Sequence, residues 1–328
     1  MASLRQIRRR MKSIENIHEI TKAMEMIAAF RFKRAEGRFA KSRIYLKEME
    51  TLVANLSSSV ENIKDSPRSV TNLRHNAPAD PSQTSSSGQI RHAVWQTPGS
   101  VAGPLFEKRI IRKKTLLAIT GDKGLCGAYN TNLLKAAASW VSANADFETA
   151  IIPVGKVACE SFKKKHIPML LSYPERSKVN LEFAKKITWA LKDLFLSAQS
   201  DSIELLYTTY RPGAAGKNIF VPFLSLDYLM VRNKKGNKIA NSTIEYILEP
   251  DFETVFISLL SRYLEGKVYL TLLESLVSEY SARMIAMKQA TDNSDEILDH
   301  LRLLRNKTRQ ATITRELSEI VSGASVLV

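Results

Sequence analysis

Cysteine is scarce in this 328-residue chain, and long apolar runs are missing from it. Cys126 and Cys159 are the only cysteines. Two thiols are too few for a disulfide framework, so we expect a reducing compartment. No run reaches the roughly 18 consecutive apolar residues that a membrane-spanning helix needs. These absences argue against a disulfide-stapled secreted fold and an integral membrane protein, and they predict a soluble or peripheral one.

A cleavable leader is not predicted either. The first residues, MASLRQIRRRMK, carry the positive charge of a signal peptide, but no apolar stretch or small-residue cleavage site follows. Glu15, Glu19 and Glu25 do not suit an acid-poor transit peptide. We therefore interpret the N-terminus as mature structure. We expect the protein in the cytoplasm or at the cytoplasmic face of a membrane.

Proline and glycine are nearly absent from both ends of the chain. Residues 1–66 contain no proline and a single glycine, Gly37, and residues 267–322 contain neither. Each stretch is long enough for one helix of about 80–100 Å. Helices in compact domains average only about 11–12 residues, so two helices of this length need a partner that buries them.

Both stretches carry a narrow apolar stripe. The N-terminal one comprises Leu4, Ile7, Met11, Ile14, Ile17, Ile20, Met24, Ile27 and Phe30. The C-terminal one comprises Leu273, Val277, Tyr280, Met284, Met287, Thr291, Ser294, Leu298, Leu301 and Leu304. Such stripes are typical of coiled-coil seams. Two separate dimerisation arms are one interpretation; we favour pairing of the first helix with the last, because their lengths match.

The middle of the chain divides into two parts. Residues 64–104 are rich in proline, serine and glycine, which predicts a flexible insertion. From residue 113 onward, apolar segments alternate with helical patterns. We predict strands at 115–120, 150–155, 168–171, 203–210 and 218–226, and helices at 130–145, around Cys159 and at 180–199. A charged turn at 233–238 suggests a hairpin. This alternation is typical of an open, mainly parallel α/β sheet.

The glycine-rich loop GDKGLCG is the strongest candidate for catalytic or nucleotide chemistry. Gly121, Gly124 and Gly127 follow a predicted strand, but their spacing matches neither the Rossmann fingerprint nor the P-loop. A tight strand-to-helix turn explains these glycines without any bound phosphate, and we favour it. Cys126 has no evident partner, and the five histidines form no metal-ligand spacing. We therefore predict no catalytic residue, no cofactor and no metal site.

Positive charge is the remaining signal. The chain has a net charge of +15, and about twelve Lys and Arg against four Glu lie in residues 1–43. A basic helix suits an acidic protein partner, a nucleic acid or, less well, an anionic membrane. Aromatic residues for base stacking are few, which favours the protein partner and leaves a basic nucleic-acid-binding protein with helical arms as the alternative.

Three ordered blocks resemble one family. SLRQIRRRMKSIENIHEITKAMEMIAA (3–29), TGDKGLCGAYNTNLLK (120–135) and the segment 278–324, with its ITRELSEIVSGA core, are similar to the gamma subunit of F-type ATP synthases. The resemblance implies a long antiparallel coiled coil of the N- and C-terminal helices plus a central Rossmann-like α/β domain. The corresponding boundaries are 1–63 for the N-terminal shaft helix, 64–112 for the insertion, 113–248 for the α/β domain and 249–328 for the C-terminal shaft helix.

The resemblance also implies a function and partners. The family member is a non-catalytic central-stalk rotor whose helices turn inside a hexamer of alpha and beta subunits. Its α/β domain contacts the epsilon subunit and the membrane c-ring. No nucleic acid takes part, and membrane association is only through the complex. Because the insertion lacks cysteine and no transit peptide is evident, we expect a bacterial type on the cytoplasmic face of the inner membrane.

Individual positions follow from the same resemblance. Met24, in TKAMEM, and Arg309 with Gln310, in TRQATIT, match positions where the shaft meets the beta subunit. Tyr207 and Arg211 are candidates for contact with the c-ring or epsilon. Lys22 and Arg34 add positive charge that could face acidic beta segments. The small, apolar C-terminal SGASVLV suits a tip held in an apolar sleeve.

Overall fold

The chain is described here by a computed structural model. The structure describes residues 4–64, 105, 109–176, 179–213, 216–224, 249 and 252–326. The helices are α1 (Leu4–Lys64), α2 (Tyr129–Ala143), α3 (Lys156–Lys164), α4 (Leu181–Leu196) and α5 (Phe252–Val326). The strands are β1 (Lys113–Ile119), β2 (Glu148–Val154), β3 (Ser202–Thr208) and β4 (Asn218–Leu224). The predicted insertion at 64–104 and hairpin at 233–238 fall almost wholly outside these residues.

The two terminal helices pair in opposite directions. Near the start of α1, Ile7 and Met11 pack against Leu301. Farther along, the Thr291 hydroxyl lies 3.0 Å from the Thr21 hydroxyl. Residues later in α1 therefore contact residues earlier in α5, so the two helices run antiparallel. The predicted antiparallel coil is confirmed.

The seam of α1 differs from the predicted stripe. Ile17, Ile20, Ile27 and Phe30 are exposed. The residues that face α5 follow alternating steps of four and three, and all are buried or half-buried: Ile7, Met11, Ile14, His18, Thr21, Glu25, Ala28, Phe32, Ala35, Phe39, Ser42, Leu46, Met49, Val53 and Leu56. The predicted stripe contained too many steps of three. It therefore drifted around the helix and left the 3.5-residue repeat of a coiled coil after Ile14.

The seam of α5 was predicted correctly as far as Leu301. Its members from Leu273 to Leu301 are buried or half-buried, and their steps do alternate between four and three. Leu304 is 37% exposed and lies at the edge of the contact. From Arg309 to Ser322 every residue except Thr312 is exposed, so this part of α5 is a helical tip that the described residues of α1 do not cover.

Four strands form one sheet in the order β2-β1-β3-β4. β1 pairs in parallel with β2 and β3, whereas β4 runs antiparallel to β3. The predicted strand at 168–171 is wrong: Met169 makes only an isolated bridge to Ile151, and Tyr173, just beyond the segment, makes another to Val154. Pro168 is the first residue of the segment and Pro174 follows Tyr173, and a proline nitrogen cannot donate a hydrogen bond to a neighbouring strand.

Both faces of the sheet are covered. Leu117, on one face, belongs to a core with α4, the middle and C-terminal half of α1, and the first half of α5. Leu116, on the opposite face, packs with α2 and α3, including Leu133 and Phe162. Successive strand residues point to opposite faces, so burial on both faces explains why the second half of β1, from Leu116 to Ile119, is a continuous apolar run. The base of the coil is thus one layer of the α/β domain.

Candidate functional site

Two regions are candidates for function: the contact between the sheet and α5, and the exposed surface of the coil. At the first, two arginines share one buried carboxylate. Arg176 donates hydrogen bonds to the Glu279 carboxylate and, at 2.8 Å, to Ser275 Oγ. Arg283 donates to the other Glu279 oxygen at 2.7 Å. We call Arg176, Glu279 and Arg283 the junction triad.

The junction triad connects α5 to the glycine-rich loop. The Arg283 guanidinium donates to the carbonyl oxygens of Lys123 and Gly124, each at 3.2 Å. Asp122, in the same loop, accepts the Arg176 backbone N–H at 3.0 Å. Two members of the triad therefore hold the loop: Arg283 through its side chain and Arg176 through its backbone amide.

Burial shapes the electrostatics of this region. Burial alone would lower the pKa of Arg176, but Glu279 outweighs it together with Tyr129 and Asp122, so the net shift is upward. Burial raises the pKa of Tyr129 to about 12, and its hydroxyl lies 2.7 Å from Ser275 Oγ. Among the described residues, no buried side-chain nitrogen or oxygen lacks a hydrogen-bond partner. Because every charged group of this buried cluster has a hydrogen-bond partner, the cluster favours a single arrangement of α5 and the loop that it joins.

The glycines of the loop serve this contact. A Cβ on Gly121 would lie 2.9 Å from Cδ of Glu279, whose carboxylate the two arginines hold in place. The Gly121 N–H already donates to Asn130 Oδ1 at 2.9 Å, so that amide is not available to a phosphate. Cys126 is buried beside it, and burial raises the pKa of its thiol, which does not favour a nucleophilic thiolate.

The second region is the exposed surface of the coil. Its N-terminal part presents apolar side chains to solvent, with Ile20 59%, Ile27 53% and Phe30 71% exposed. Ile313, Leu317, Ile320 and Val321 are also exposed on the tip of α5. Exposed apolar groups in such number are typical of surfaces that bind other proteins.

Comparison with known proteins identifies the family. The family model described as ATP synthase matches residues 3–327. The ATP synthase gamma chain of Protochlamydia amoebophila is 31% identical over 328 residues, covering 100% of both chains. That of Ralstonia nicotianae is 32% identical over 332 aligned positions, again with 100% of both chains covered. The chain belongs to the ATP synthase gamma chain family.

Solved structures share the fold. A chain of the Euglena gracilis mitochondrial ATP synthase, in a structure of its OSCP, F1 and c-ring, has a TM-score of 0.61 at 18% identity, covering 99% of this chain and 94% of that one. A chain from the central stalk and c-ring of the Tetrahymena thermophila enzyme has a TM-score of 0.54 at 21% identity, covering 83% of this chain and 99% of that one.

The beta-contact residues that the gamma-chain resemblance implies lie at two levels of the coil. Met24 is half-buried, whereas Arg309 and Gln310 are exposed on the tip of α5. Thr21 is bonded to Thr291, and Arg309 lies eighteen residues beyond Thr291, or about 27 Å along the helix. The structure thus does not bring Met24 together with Arg309 and Gln310, and their contact with a beta subunit stays a prediction.

The two residues predicted to approach the c-ring or epsilon differ in accessibility. Arg211 is exposed. Tyr207 is only 9% exposed, and its phenol is hydrogen-bonded to Glu274 of α5. Burial, with Glu274 adding to it, raises the pKa of this phenol. The surface available to a partner here therefore includes Arg211, and the contact itself stays a prediction.

The sequence did not reveal the junction triad, although a signal for it exists. Small residues line this stretch of α5, at Ser275, Ser278 and Ala282, and they let a helix approach another backbone closely. Glu279 and Arg283 stand four apart in the same stretch, where side chains meet on one helical face. Arg176 gives no local signal, because only the folded chain brings it to α5.

Metal and membrane chemistry find no support in the described part of the chain. No group of three or more His, Cys, Asp or Glu side chains there could hold a metal ion. None of the helices it contains combines the length and the apolar character that a membrane span requires.

Proposed function

We propose that this chain is the central-stalk rotor, the gamma subunit, of an F-type ATP synthase. It couples transmembrane proton flow to ATP synthesis or hydrolysis in the beta subunits by rotation, and it is non-catalytic itself. The observation that carries the proposal is the antiparallel pairing of α1 with α5 in a member of the gamma chain family. Two paired helices resist twisting better than one, which a rotating shaft requires.

The shaft acts through its surface. Each beta subunit meets a different side of the rotor at a given angle, so rotation changes which conformation of that subunit binds the shaft best. Met24, Arg309 and Gln310 are the proposed beta contacts, and the exposed tip of α5 lies within the hexamer of alpha and beta subunits. The exposed Ile20, Ile27 and Phe30 extend this surface along α1.

The α/β domain is the foot of the rotor. It contacts the epsilon subunit and the membrane c-ring, with Arg211 on the exposed side of the domain. Torque then passes from the foot to the shaft through the shared core and the junction triad. Membrane association is only through the complex, on the cytoplasmic face of the inner membrane.

The nucleic-acid-binding alternative has no support from the relatives or the solved structures. The exposed arginines at positions 5, 8, 9 and 10 lie on α1. In the rotor they face the partner subunits. Their charge then has an acidic protein surface as its counterpart, and no duplex is needed to explain it.

Reconstitution tests the proposal directly. Alpha and beta subunits mixed with the full chain should form a complex whose ATP hydrolysis turns a bead attached to the foot. The purified chain alone should hydrolyse no ATP. A chain that fails to join alpha and beta, or that hydrolyses ATP by itself after contaminants are removed, contradicts the proposal.

A further inference from the structure

A basic cleft opens between the coil and the α/β domain. It has a volume of about 660 Å³, within the roughly 300–1,000 Å³ typical of small-ligand sites. One wall is α1, with Arg31, Arg34 and Arg38. The other walls are the loop after β1, with Lys123, and the α5 residues of the junction triad.

The position of the cleft is one where α/β folds bind ligands. The chain leaves β1 toward β2 on one side and later forms β3 on the other. The loop that follows β1 therefore lies where the strand order changes direction. Crevices at the carboxyl ends of strands at such a point are the usual ligand sites of open α/β sheets.

Positive charge predominates among the described lining residues. Six of their side chains are Arg or Lys and two are carboxylates. Both carboxylates have partners: Glu279 is held by Arg176 and Arg283, and Asp122 accepts backbone N–H groups. The six cations outnumber the two carboxylates, so the lining keeps an excess of positive charge.

Three cations in the cleft are available to a ligand. Arg31, Arg34 and Lys123 are exposed, and within the described chain their side chains form no hydrogen bond or ion pair. Arg38 donates to the Val179 carbonyl at 2.6 Å and to the Tyr269 hydroxyl at 3.0 Å, so it is already oriented toward the domain. Available cations thus stand on two opposite walls, one helical and one in the loop.

We propose that this cleft binds an anion that carries two or more linked phosphate groups. Guanidinium groups bind phosphate oxygens in pairs and with fixed geometry. Arg31 and Arg34 stand three apart on one helical face. A chain of phosphates would reach from them to Lys123 across the cleft, linking the shaft to the loop. This site would bind phosphate through side chains, whereas a P-loop binds it through the backbone N–H groups of a glycine-rich loop.

Calorimetric titration of the purified full chain tests this site without the nucleotide sites of the other subunits. Inorganic triphosphate, in the presence of a chelator, should bind with a stoichiometry of one. The variants Arg34→Gln and Lys123→Gln should each weaken binding by about tenfold or more, because each removes a charge-assisted contact. Arg8→Gln removes an exposed arginine near the far end of α1 and should leave the affinity unchanged.

Two further ligands identify what the site recognises. If ATP binds as tightly as triphosphate, the site recognises the phosphate chain alone. If ATP binds more tightly, the site also contacts the nucleoside. Both results support the proposal. Hexaglutamate binding at least as tightly as triphosphate overturns it in favour of an acidic peptide. Equal weakening by Arg8→Gln, or no binding at millimolar triphosphate, also overturns it. Because this inference does not rest on rotation, none of these outcomes bears on the proposed rotor.

Discussion

At the scale of single residues, Glu279 is the residue on which the contact between foot and shaft depends. It is a buried carboxylate between two buried guanidinium groups. An isolated charge in such a place would be very costly, and the cluster is tolerated because every member has a partner. The same dependence makes the cluster sensitive to the loss of one charge.

We expect Glu279→Gln to destabilise the protein by about 3–5 kcal/mol, because it leaves Arg176 and Arg283 buried without a counterion. Denaturant unfolding measures this. Glu296→Gln, an exposed position on the same helix, is the control and should change the free energy of unfolding by less than about 0.5 kcal/mol. Equal unfolding midpoints for the two variants would refute the role assigned to Glu279.

Glu274 provides a pH-dependent test. Burial raises the pKa of this carboxyl, against the lowering effects of the Tyr210 N–H, the Tyr207 phenol and Arg43. A raised pKa in the folded state means that the folded chain holds the proton more tightly than the unfolded one. The group therefore favours the folded state below its ordinary pKa, and this contribution is lost as the pH rises through the raised value.

Glu274→Gln should then become progressively more stable, relative to the unchanged protein, as the pH rises above 4.5, the ordinary pKa of this carboxyl. The amide oxygen still accepts the Tyr210 N–H, while the buried charge is gone. Free energies of unfolding at pH 5 and pH 8 provide the comparison, with Glu296→Gln again as the control. A difference that stays constant or shrinks with rising pH would show that the carboxyl is not shifted in this direction.

At the scale of elements, the coil shows what periodicity predicts and where it fails. The α5 stripe was correct because its predicted positions already follow the alternating steps of four and three that a coiled coil requires. On α1, Ile20 and Ile27 stand beside the true seam positions Thr21 and Ala28, so choosing the more apolar residue at each turn leads away from the seam. The polar and small residues of the α1 seam can be recognised as seam positions only when α5 is in place, because α5 determines which side of α1 is buried.

Leu301 and Leu303 test this seam within one turn of α5. Leu301 is 5% exposed against Ile7 and Met11, whereas Leu303 is 71% exposed. Leu301→Asp places a charge in the seam and should destabilise the coil by about 3 kcal/mol or more. Leu303→Asp should cost less than about 0.5 kcal/mol. Thermal unfolding followed by the helical circular dichroism signal compares them, and similar melting temperatures would contradict the register.

At the scale of the whole molecule, local sequence patterns predicted the positions of the strands, but they did not predict the contact between the α/β domain and the coil. The strands β1, β2, β3 and β4 all begin and end within about two residues of the predicted positions. The foot–shaft contact joins Arg176 to Glu279, about a hundred residues apart. No local pattern carries such a pairing, because it arises from how the sheet and the coil pack together.

The tip of α5 offers a test of the proposed rotor as an assembly. Arg309→Ala or Gln310→Ala should lower ATP synthesis by the complete enzyme reconstituted in membrane vesicles under a proton gradient. The melting temperature of the chain should change little, since both residues are exposed. Arg302→Ala is the matched control, because Arg302 is exposed and forms an ion pair with Asp299 on the same helix. A variant that mainly lowers the melting temperature would show that its residue supports folding instead of a partner contact.

The antiparallel pairing also has a consequence for how the chain is made. Ile7 and Met11 leave the ribosome about 290 residues before Leu301, the residue that covers them. At about 5–20 residues per second, the nascent helix waits for tens of seconds with its apolar side bare. The coil can therefore close at this level only after Leu301 has been made, and until then the seam of α1 lacks the cover that α5 provides.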